Sequence, residues 1–335
     1  MNSLTPRFGP ARVGALGLLA VVFSALLPPT ASAQSAGRAF TPPAGFEPID
    51  AAPLAQRIDQ VTTEILSVFN RRDRDGYLAH FAADALIVPD GAPLVTGRSG
   101  AAEMYLQASL GLRYEPMVWA ERQLLQIGSW VIETGLVEFQ FRLTPESPVL
   151  GDPRQVLSIW EEDAGGELRV KLLAWNRANR SDLLPSSGGA RAAVYPGRNS
   201  PFQRDGGFDD VLTAEERFHR TLVERRIDLA VGYYAEDGLL ISGGTKPLQG
   251  RAAILKHLEG IPPERMVQDI ERVVAHVEGD PDHVLVVNLF RWIFAPAGSE
   301  VRVPIAGKGV HVWERGRDGA WRILFDLPNA SQPTS

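Results

Sequence analysis

The chain has 335 residues, with 34 basic and 40 acidic side chains and no cysteine. The absence of thiols excludes disulfides, thiolate metal ligands and a cysteine nucleophile, so its domains must hold together by core burial alone. No cluster of lysine or arginine is mixed with aromatic residues, and we therefore expect no nucleic-acid partner. This length has room for two domains of ordinary size.

The first 33 residues have the pattern of a secretory signal. Arg7 and Arg12 precede an apolar run over 13–27, and Ala31-Ser32-Ala33 forms a small-residue cleavage pattern. The run is shorter than the roughly 18 residues that a membrane-spanning helix needs. We predict a signal peptide over 1–33, a secreted or periplasmic protein, and no membrane attachment after cleavage. An uncleaved anchor is the alternative.

Residues 34–53 are rich in Ala, Gly and Pro and predict a flexible lead-in. A first domain is expected over 54–180. Apolar residues at three- and four-residue spacing predict a helix from Leu54, and two shorter helices and a short strand follow. From Met117 the period changes to two, which predicts four strands in a meander.

The same pattern returns after a Gly-, Pro- and Ser-rich stretch over 181–210, which predicts a linker. Phe81-Ala-Ala-Asp84 becomes Tyr234-Ala-Glu-Asp237, and Gly97-Arg98 becomes Gly250-Arg251, at a constant offset of 153 residues. A period this long indicates a duplicated domain, because solenoid repeats span about 20–50 residues. The second domain is expected over 211–330.

Each half resembles the SnoaL-like group of the nuclear-transport-factor-2-like superfamily. The residues that carry the resemblance are 77–84 with Gly97-Arg98 in the first half, and 233–237, 250–254 and 313–323 in the second. The resemblance implies an α+β fold of two tandem cone-shaped domains, each with about three helices packed on a curved antiparallel sheet. It also implies a pocket at the wide end of each cone, and pairing through the sheets as an intramolecular pseudo-dimer or a homo-oligomer.

Polar residues on an otherwise apolar strand face are the first candidates for a site. Alternate residues from Val131 to Phe141, and from Val284 to Phe294, share one face in each half. Only Glu133 and Asn288 are polar there. Because an ionised, unpaired carboxylate without water would be costly, Glu133 must be paired with an arginine such as Arg122, Arg142 or Arg154, be protonated, or line a wet pocket, where it would serve as a general base. A strand register that faces Glu133 outward is the remaining alternative. Asn288 would orient a ligand or satisfy backbone groups.

Other candidates are weaker. Tyr77 and Tyr105 are phenols that would face the first pocket, and His80 would lie near its mouth. Trp292 would stack on a ligand or belong to the core. Arg98 and Arg251 would bind an anionic ligand, or tie a turn to a carbonyl. His219 and His311 show no recognisable pattern, and no spacing predicts a metal site or a cofactor.

Three functions remain open at this point. The first is an exported protein that binds a small, largely apolar molecule in a cone pocket, with no assigned reaction. The second is an isomerase, cyclase or dehydratase that uses Glu133 as general base. The third is a structural or interaction module in which the paired sheets matter more than the pockets.

Overall fold

The structure of the protein is a computed structural model that describes residues 47–48, 51–109, 111–179, 191–194, 207–262, 267–294 and 302–331. The predicted signal peptide lies outside the described residues, as do most of the predicted lead-in and linker. Within the described residues, no helix is long and apolar enough to cross a membrane.

Three helices cover the sheet of the first half. They are α1 (Ala51–Asn70), α2 (Arg74–Ala79) and α3 (Gly97–Ser109). The apolar stripe of α1 buries Ile58 and Phe69 against the sheet. Asp73 caps α2 by accepting a hydrogen bond from the Gly76 amide at 2.9 Å.

In the described part of the chain, nine strands form the first sheet, in the order β1-β9-β5-β6-β7-β8-β2-β3, with β4 paired to β6. Four short strands were not predicted, namely β1, β3, β4 and β9. Of these, β1 and β9 come from the predicted lead-in and linker, and β9 runs parallel to β5. The strands are β1 (Glu47–Pro48), β2 (Phe81–Val88), β3 (Val95–Thr96), β4 (Arg113–Tyr114), β5 (Val118–Ile127), β6 (Trp130–Arg142), β7 (Leu150–Glu162), β8 (Leu168–Arg177) and β9 (Arg191–Val194).

The second half repeats this arrangement with a sheet of six strands, in the order β11-β10-β15-β14-β13-β12. Its helices are α4 (Asp209–Val223), α5 (Ile227–Gly232) and α6 (Arg251–Glu259). Its strands are β10 (Tyr234–Leu240), β11 (Leu248–Gln249), β12 (Val267–Gly279), β13 (His283–Phe294), β14 (Val303–Arg315) and β15 (Trp321–Ala330).

The predicted α+β class, with three helices on a curved sheet in each half, is confirmed. The sheets are mixed rather than antiparallel, because the strand that follows the second helix pairs in parallel with the last strand of the meander. In the first half this is β2 with β8, and in the second it is β10 with β15.

Apolar side chains form three cores. One lies between the helices and the sheet of the first half, and an equivalent core lies in the second half. The third lies between the two sheets and takes residues from both halves, including Leu125, Ile132 and Leu157 from the first and Leu239, Leu285 and Val310 from the second. Both faces of each central strand are therefore buried, which explains the long runs of buried residues in β6 and β13.

Backbone hydrogen bonds join the halves in equivalent pairs. The Gly91 amide donates to the Ala330 carbonyl, and the Gly244 amide donates to the Arg177 carbonyl, both at 3.0 Å. Gly91 and Gly244 have φ angles of 71° and 74°, a left-handed conformation that glycine adopts without steric cost. The donor and the acceptor of one bond are each 153 residues from those of the other. The two halves are therefore related by an approximate two-fold axis.

Candidate active site

Glu133 forms an ion pair in the interior of the first half. Its Oε1 accepts a hydrogen bond from Arg122 Nε at 2.7 Å and lies 2.6 Å from Arg122 Nη2 in the ion pair, and its Oε2 accepts a hydrogen bond from the Trp160 indole at 3.1 Å. Arg122 also binds Asp59 at 2.8 Å. Burial raises the pKa of Glu133, and Arg122 opposes that shift. Glu133 is thus paired with an arginine, one of the alternatives that the sequence left open, and its role as a general base stays a prediction.

The phenols of the first half lie in an aromatic cluster rather than on Glu133, whose donors among the described residues are Arg122 and Trp160. The rings of Tyr77 and Tyr105 are 5.0 Å apart, and both contact Phe69. Burial raises the pKa of the Tyr77 phenol. His80 ends α2, where it is partly buried and its backbone amide donates to the Tyr77 carbonyl. Burial lowers the pKa of its imidazole.

Arg98 and Arg251 make the same contact in the two halves. Arg98 Nε donates to the Phe81 carbonyl, and Arg251 Nε to the Tyr234 carbonyl, each at 2.8 Å. Each arginine therefore ties the start of a helix to the neighbouring strand, the structural alternative that the sequence left open.

A denser group of polar side chains lies in the interior of the second half. Glu215 on α4 is fully buried and accepts three hydrogen bonds. They come from Asn288 Nδ2 at 2.7 Å, Trp313 Nε1 at 2.7 Å and His311 Nδ1 at 2.8 Å. Trp313 is the equivalent of Trp160, so the same indole binds a carboxylate in both halves. That carboxylate comes from a strand in the first half and from a helix in the second.

His311 on β14 lies between two carboxyl groups. Its Nε2 is 3.1 Å from Asp326 Oδ1 on β15, and the Tyr234 hydroxyl donates to the other oxygen of Asp326. Although burial opposes the charge, Glu215 and Asp326 raise the pKa of His311 to about 10. Likewise, burial opposes ionisation of Glu215, but His311 lowers its pKa to about 2. The buried pair is therefore a carboxylate and an imidazolium at neutral pH.

His219 lies one helical turn after Glu215 and, unlike His311, is neutral. Its Nδ1 is 2.8 Å from the backbone carbonyl of Glu215. A carbonyl oxygen only accepts, so Nδ1 carries the hydrogen and Nε2 carries the lone pair. Burial lowers the pKa of His219; the nearby Glu215 carboxylate opposes this shift, and the charge of His311 adds to it. The two rings are 5.7 Å apart, so a neutral imidazole lies beside a charged one.

Most of this group was not predicted from the sequence. Asn288, which binds Glu215, was a candidate, as was Trp292, whose ring stacks on Phe290 at 4.3 Å. The residues that were not predicted as site residues are Glu215, His219, Tyr234, His311 and Asp326. Comparison of the two halves could have identified them, because none of their first-half equivalents carries a carboxyl or imidazole group. These equivalents are Thr62, Leu66, Phe81, Ser158 and Leu173.

Metal binding has no support in the geometry of the site. Among the described residues, no group of three or more His, Asp or Glu side chains is arranged to hold a metal ion. Each oxygen of Glu215 and each nitrogen of His311 is instead engaged by another side chain.

Comparisons with known proteins give a family for part of the second half. Residues 216–323 match the family model of the SnoaL-like domain. That segment contains His219, Tyr234 and His311. A search among curated proteins finds no match.

Three solved structures similar to this chain each cover less than half of it. One is a ketosteroid isomerase-like protein from Erwinia carotovora atroseptica, with 14% identity and a TM-score of 0.35, covering 39% of this chain and 100% of its own. A proposed scytalone dehydratase from Novosphingobium aromaticivorans has 13% identity and a TM-score of 0.33, covering 38% and 88%. ActVI-ORFA from Streptomyces coelicolor has 16% identity and a TM-score of 0.33, covering 38% and 100%.

Proposed function

We propose that the second half is an acid–base enzyme of the isomerase, cyclase or dehydratase kind, acting on a small, largely apolar molecule inside the cone. The observation that carries this proposal is a pair of buried histidines whose rings lie 5.7 Å apart and whose contacts differ. His219 Nδ1 donates to the Glu215 carbonyl, which leaves the lone pair of the neutral ring on Nε2, whereas both nitrogens of His311 lie on carboxyl groups. Burial lowers the pKa of His219, and Glu215 and Asp326 raise the pKa of His311 against the effect of burial. Neighbouring groups whose pKa values are driven apart are typical of acid–base sites.

His219 Nε2 would be the general base in this reaction. It would take a proton from a carbon next to a carbonyl, and the electron pair of that C–H bond would move onto the carbonyl oxygen as an enolate. Return of the proton to another carbon gives isomerisation, and loss of a β-hydroxyl as water gives dehydration. The hydrogen bond from Nδ1 to the Glu215 carbonyl fixes the orientation of the base.

His311 would not accept a proton in this reaction. It would supply a fixed positive charge. Both of its nitrogens are held by carboxyl groups, so the ring cannot turn away. Such a charge stabilises the negative charge that develops on the substrate, and it does so most strongly where water is excluded. Burial disfavours protonation of His219, and the charge of His311 adds to this effect, which keeps the base in its active form.

The first half would not catalyse this reaction, because Leu66 and Ser158 stand where the second half has His219 and His311. Its buried carboxylate, Glu133, is engaged by Arg122 and Trp160. We therefore assign the first half a structural role through the core that the two sheets share.

Exchange of carbon-bound protons tests the proposal without knowledge of the natural substrate. The α-protons of 2-tetralone, a small apolar ketone, are followed by proton NMR in D2O with the full chain. We expect exchange faster than in buffer, and a loss of at least tenfold in His219→Asn. Asparagine keeps a donor near Nδ1 but has no lone pair at the position of Nε2.

The controls separate this site from its alternatives. His257→Asn, on α6, and Glu133→Gln should exchange as fast as the wild type. A loss in Glu133→Gln with full activity in His219→Asn would place the chemistry in the first half. Saturable binding of 2-tetralone with exchange no faster than in buffer would indicate a binding protein and contradict the enzymatic proposal.

We also propose that the protein is exported, on the basis of the signal pattern in residues 1–33. Mass spectrometry of the chain recovered from its native cells tests this. A chain beginning at Gln34 in the secreted or periplasmic fraction is expected, and a chain that keeps residues 1–33 in the cytoplasmic fraction would contradict export.

A further inference from the structure

Arg272 carries a positive charge in the second half and forms no direct ion pair with a carboxylate among the described residues. It lies on β12 opposite Phe290 of β13 and is partly buried. Its Nη1 donates to Asn288 Oδ1 at 2.9 Å. That partner is a neutral amide, and in the described part of the chain no carboxylate forms an ion pair with Arg272.

Other arginines near strand carboxylates are neutralised. Arg122 in the first half binds both Glu133 and Asp59. Arg291, on the strand next to Arg272, binds Glu271 at 2.7 Å. A partly buried guanidinium without an anion is costly, and its remaining N–H groups match a carboxylate in a bidentate geometry. Among the described residues no carboxylate binds Arg272 directly, which points to an anion supplied by a ligand.

Arg272 is also connected to the proposed base. Asn288 links it to Glu215, since the amide accepts from Arg272 and donates to the carboxylate. The positive charge of Arg272 contributes to the lowered pKa values of both Glu215 and His219. An anion bound at Arg272 would thus lie beside the group that we propose removes a proton.

An aromatic stack follows Arg272 along the same face of the sheet. The rings of Phe290 and Trp292 are stacked 4.3 Å apart with only 9° between their planes, and Phe294 contacts Trp292 edge-on. Gly307 on β14 leaves room for the Phe290 ring, which a Cβ at that position would overlap. Among the described residues, the buried Trp292 Nε1 has no hydrogen-bond partner. These side chains suit an apolar body that carries a hydrogen-bond acceptor.

We propose that the site of the second half takes a carboxylate-bearing apolar substrate, and that Arg272 is the specificity-determining residue that binds the carboxylate. The inference rests on the proposed function for the position of the reacting carbon, but the binding contact itself does not. Arg272 positions the substrate, and His219 performs the proton transfer.

Binding of 2-naphthoate and its neutral analogue 2-naphthamide, measured by calorimetry on the full chain, tests the inference. We expect the wild type to bind the acid at least tenfold more tightly than the amide. Arg272→Gln should remove this preference, and Arg272→Lys should restore it in part because lysine keeps the charge but not the bidentate geometry. Arg291→Gln, the matched control on the next strand, should keep the full preference.

The outcomes separate this inference from the proposed function. Equal affinity for acid and amide in the wild type, or a preference that survives in Arg272→Gln with an unchanged melting temperature, would overturn the inference. Naphthoate binding that depends on Arg272 without exchange of 2-tetralone would keep this inference and contradict the enzymatic proposal. Exchange without any preference for the acid would do the reverse.

Discussion

Asn176 and Asn329 occupy the same position in the two halves, and each donates its side-chain amide to the backbone of the other half. Asn176 Nδ2 is 2.7 Å from the Ile241 carbonyl and 3.0 Å from the Pro328 carbonyl. Asn329 Nδ2 is 3.1 Å from the Val88 carbonyl and 3.3 Å from the Trp175 carbonyl. The 153-residue offset relates Val88 to Ile241 and Trp175 to Pro328. The two halves therefore contact each other reciprocally through equivalent residues.

Loss of either asparagine should destabilise the protein through this contact. Both side chains are buried, so Asn176→Ala or Asn329→Ala leaves carbonyl oxygens without a donor and without water. We expect the free energy of unfolding to fall by about 1–3 kcal/mol in each variant. Urea denaturation measures the change.

Asn179→Ala is the matched control for that experiment. Asn179 also donates to the other half, to the Gly244 carbonyl at 2.8 Å, but this bond is exposed to water. Its loss should change the free energy of unfolding by no more than about 0.5 kcal/mol. An effect of Asn176→Ala as small as that of Asn179→Ala would contradict the role given to the reciprocal pair.

The buried ion pair of Glu215 and His311 should make stability depend on pH in both directions. The pKa of His311 is about 10 in the folded state, against an ordinary 6.5, so its contribution is complete below 6.5 and is lost as the pH rises toward 10. The pKa of Glu215 is about 2, against an ordinary 4.5, so its contribution is complete above 4.5 and is lost as the pH falls toward 2.

The double variant Glu215→Gln/His311→Asn isolates this effect, because it removes both charges and leaves neither unpaired. We expect the difference in the free energy of unfolding between wild type and double variant to be largest between pH 4.5 and 6.5, and smaller at pH 3 and pH 9. Urea denaturation at these pH values is the measurement. A difference that does not change with pH would show that the pair is not charged.

Lys171 joins the two halves through a second group of charges. Its Nζ binds Asp84 at 2.7 Å and Glu278 of the second half at 2.8 Å, and its side chain is buried. The hydrogen bond from Lys171 lowers the pKa of Asp84. Burial opposes ionisation of Glu278, but His276 and Lys171 lower its pKa. Position 324, the equivalent of Lys171, is leucine, so this contact has no copy in the repeat.

Removal of the Lys171 side-chain charge should therefore destabilise the fold more at neutral pH than at acid pH. Carboxyl groups with lowered pKa values stabilise the fold above their ordinary values of 3.8 and 4.5, and this contribution is lost as the pH falls. We expect Lys171→Met to lower the melting temperature clearly at pH 7 and much less at pH 3. Lys256→Met, at an exposed position on α6, should have little effect at either pH. An equal loss at both pH values for Lys171→Met would contradict the charge contact.

The fold could be predicted from the sequence because local apolar patterns indicate the helices and strands and the long repeat indicates two equivalent halves. Apolar periodicity indicated the helices and the strands of the meander, and the offset of 153 residues related Arg98 to Arg251 before their shared contacts were known. Parallel pairing of β2 with β8 was not predicted. Nothing in the short run Leu86-Ile87-Val88 records which distant strand lies beside it.

The site was harder to predict because its members are far apart in the chain. Glu215 and His311 are 96 residues apart, and they meet only because α4 packs across the sheet at β14. Asn288 was found because it interrupts an apolar strand face. Glu215 and His219 interrupt the apolar face of α4 in the same way, but a polar residue near the edge of a helix stripe is common, and the pattern alone does not separate the two cases.

Measuring the protonation states of His219 and His311 tests the proposed acid–base site most directly. Nitrogen-15 NMR of the six histidines, assigned through His219→Asn and His311→Asn, distinguishes the neutral ring, its tautomer and the imidazolium. At pH 7 we predict a neutral His219 protonated on Nδ1 and an imidazolium at His311 that persists to about pH 9. A neutral His311, or a His219 that is already charged at pH 7, would contradict the proposed acid–base site.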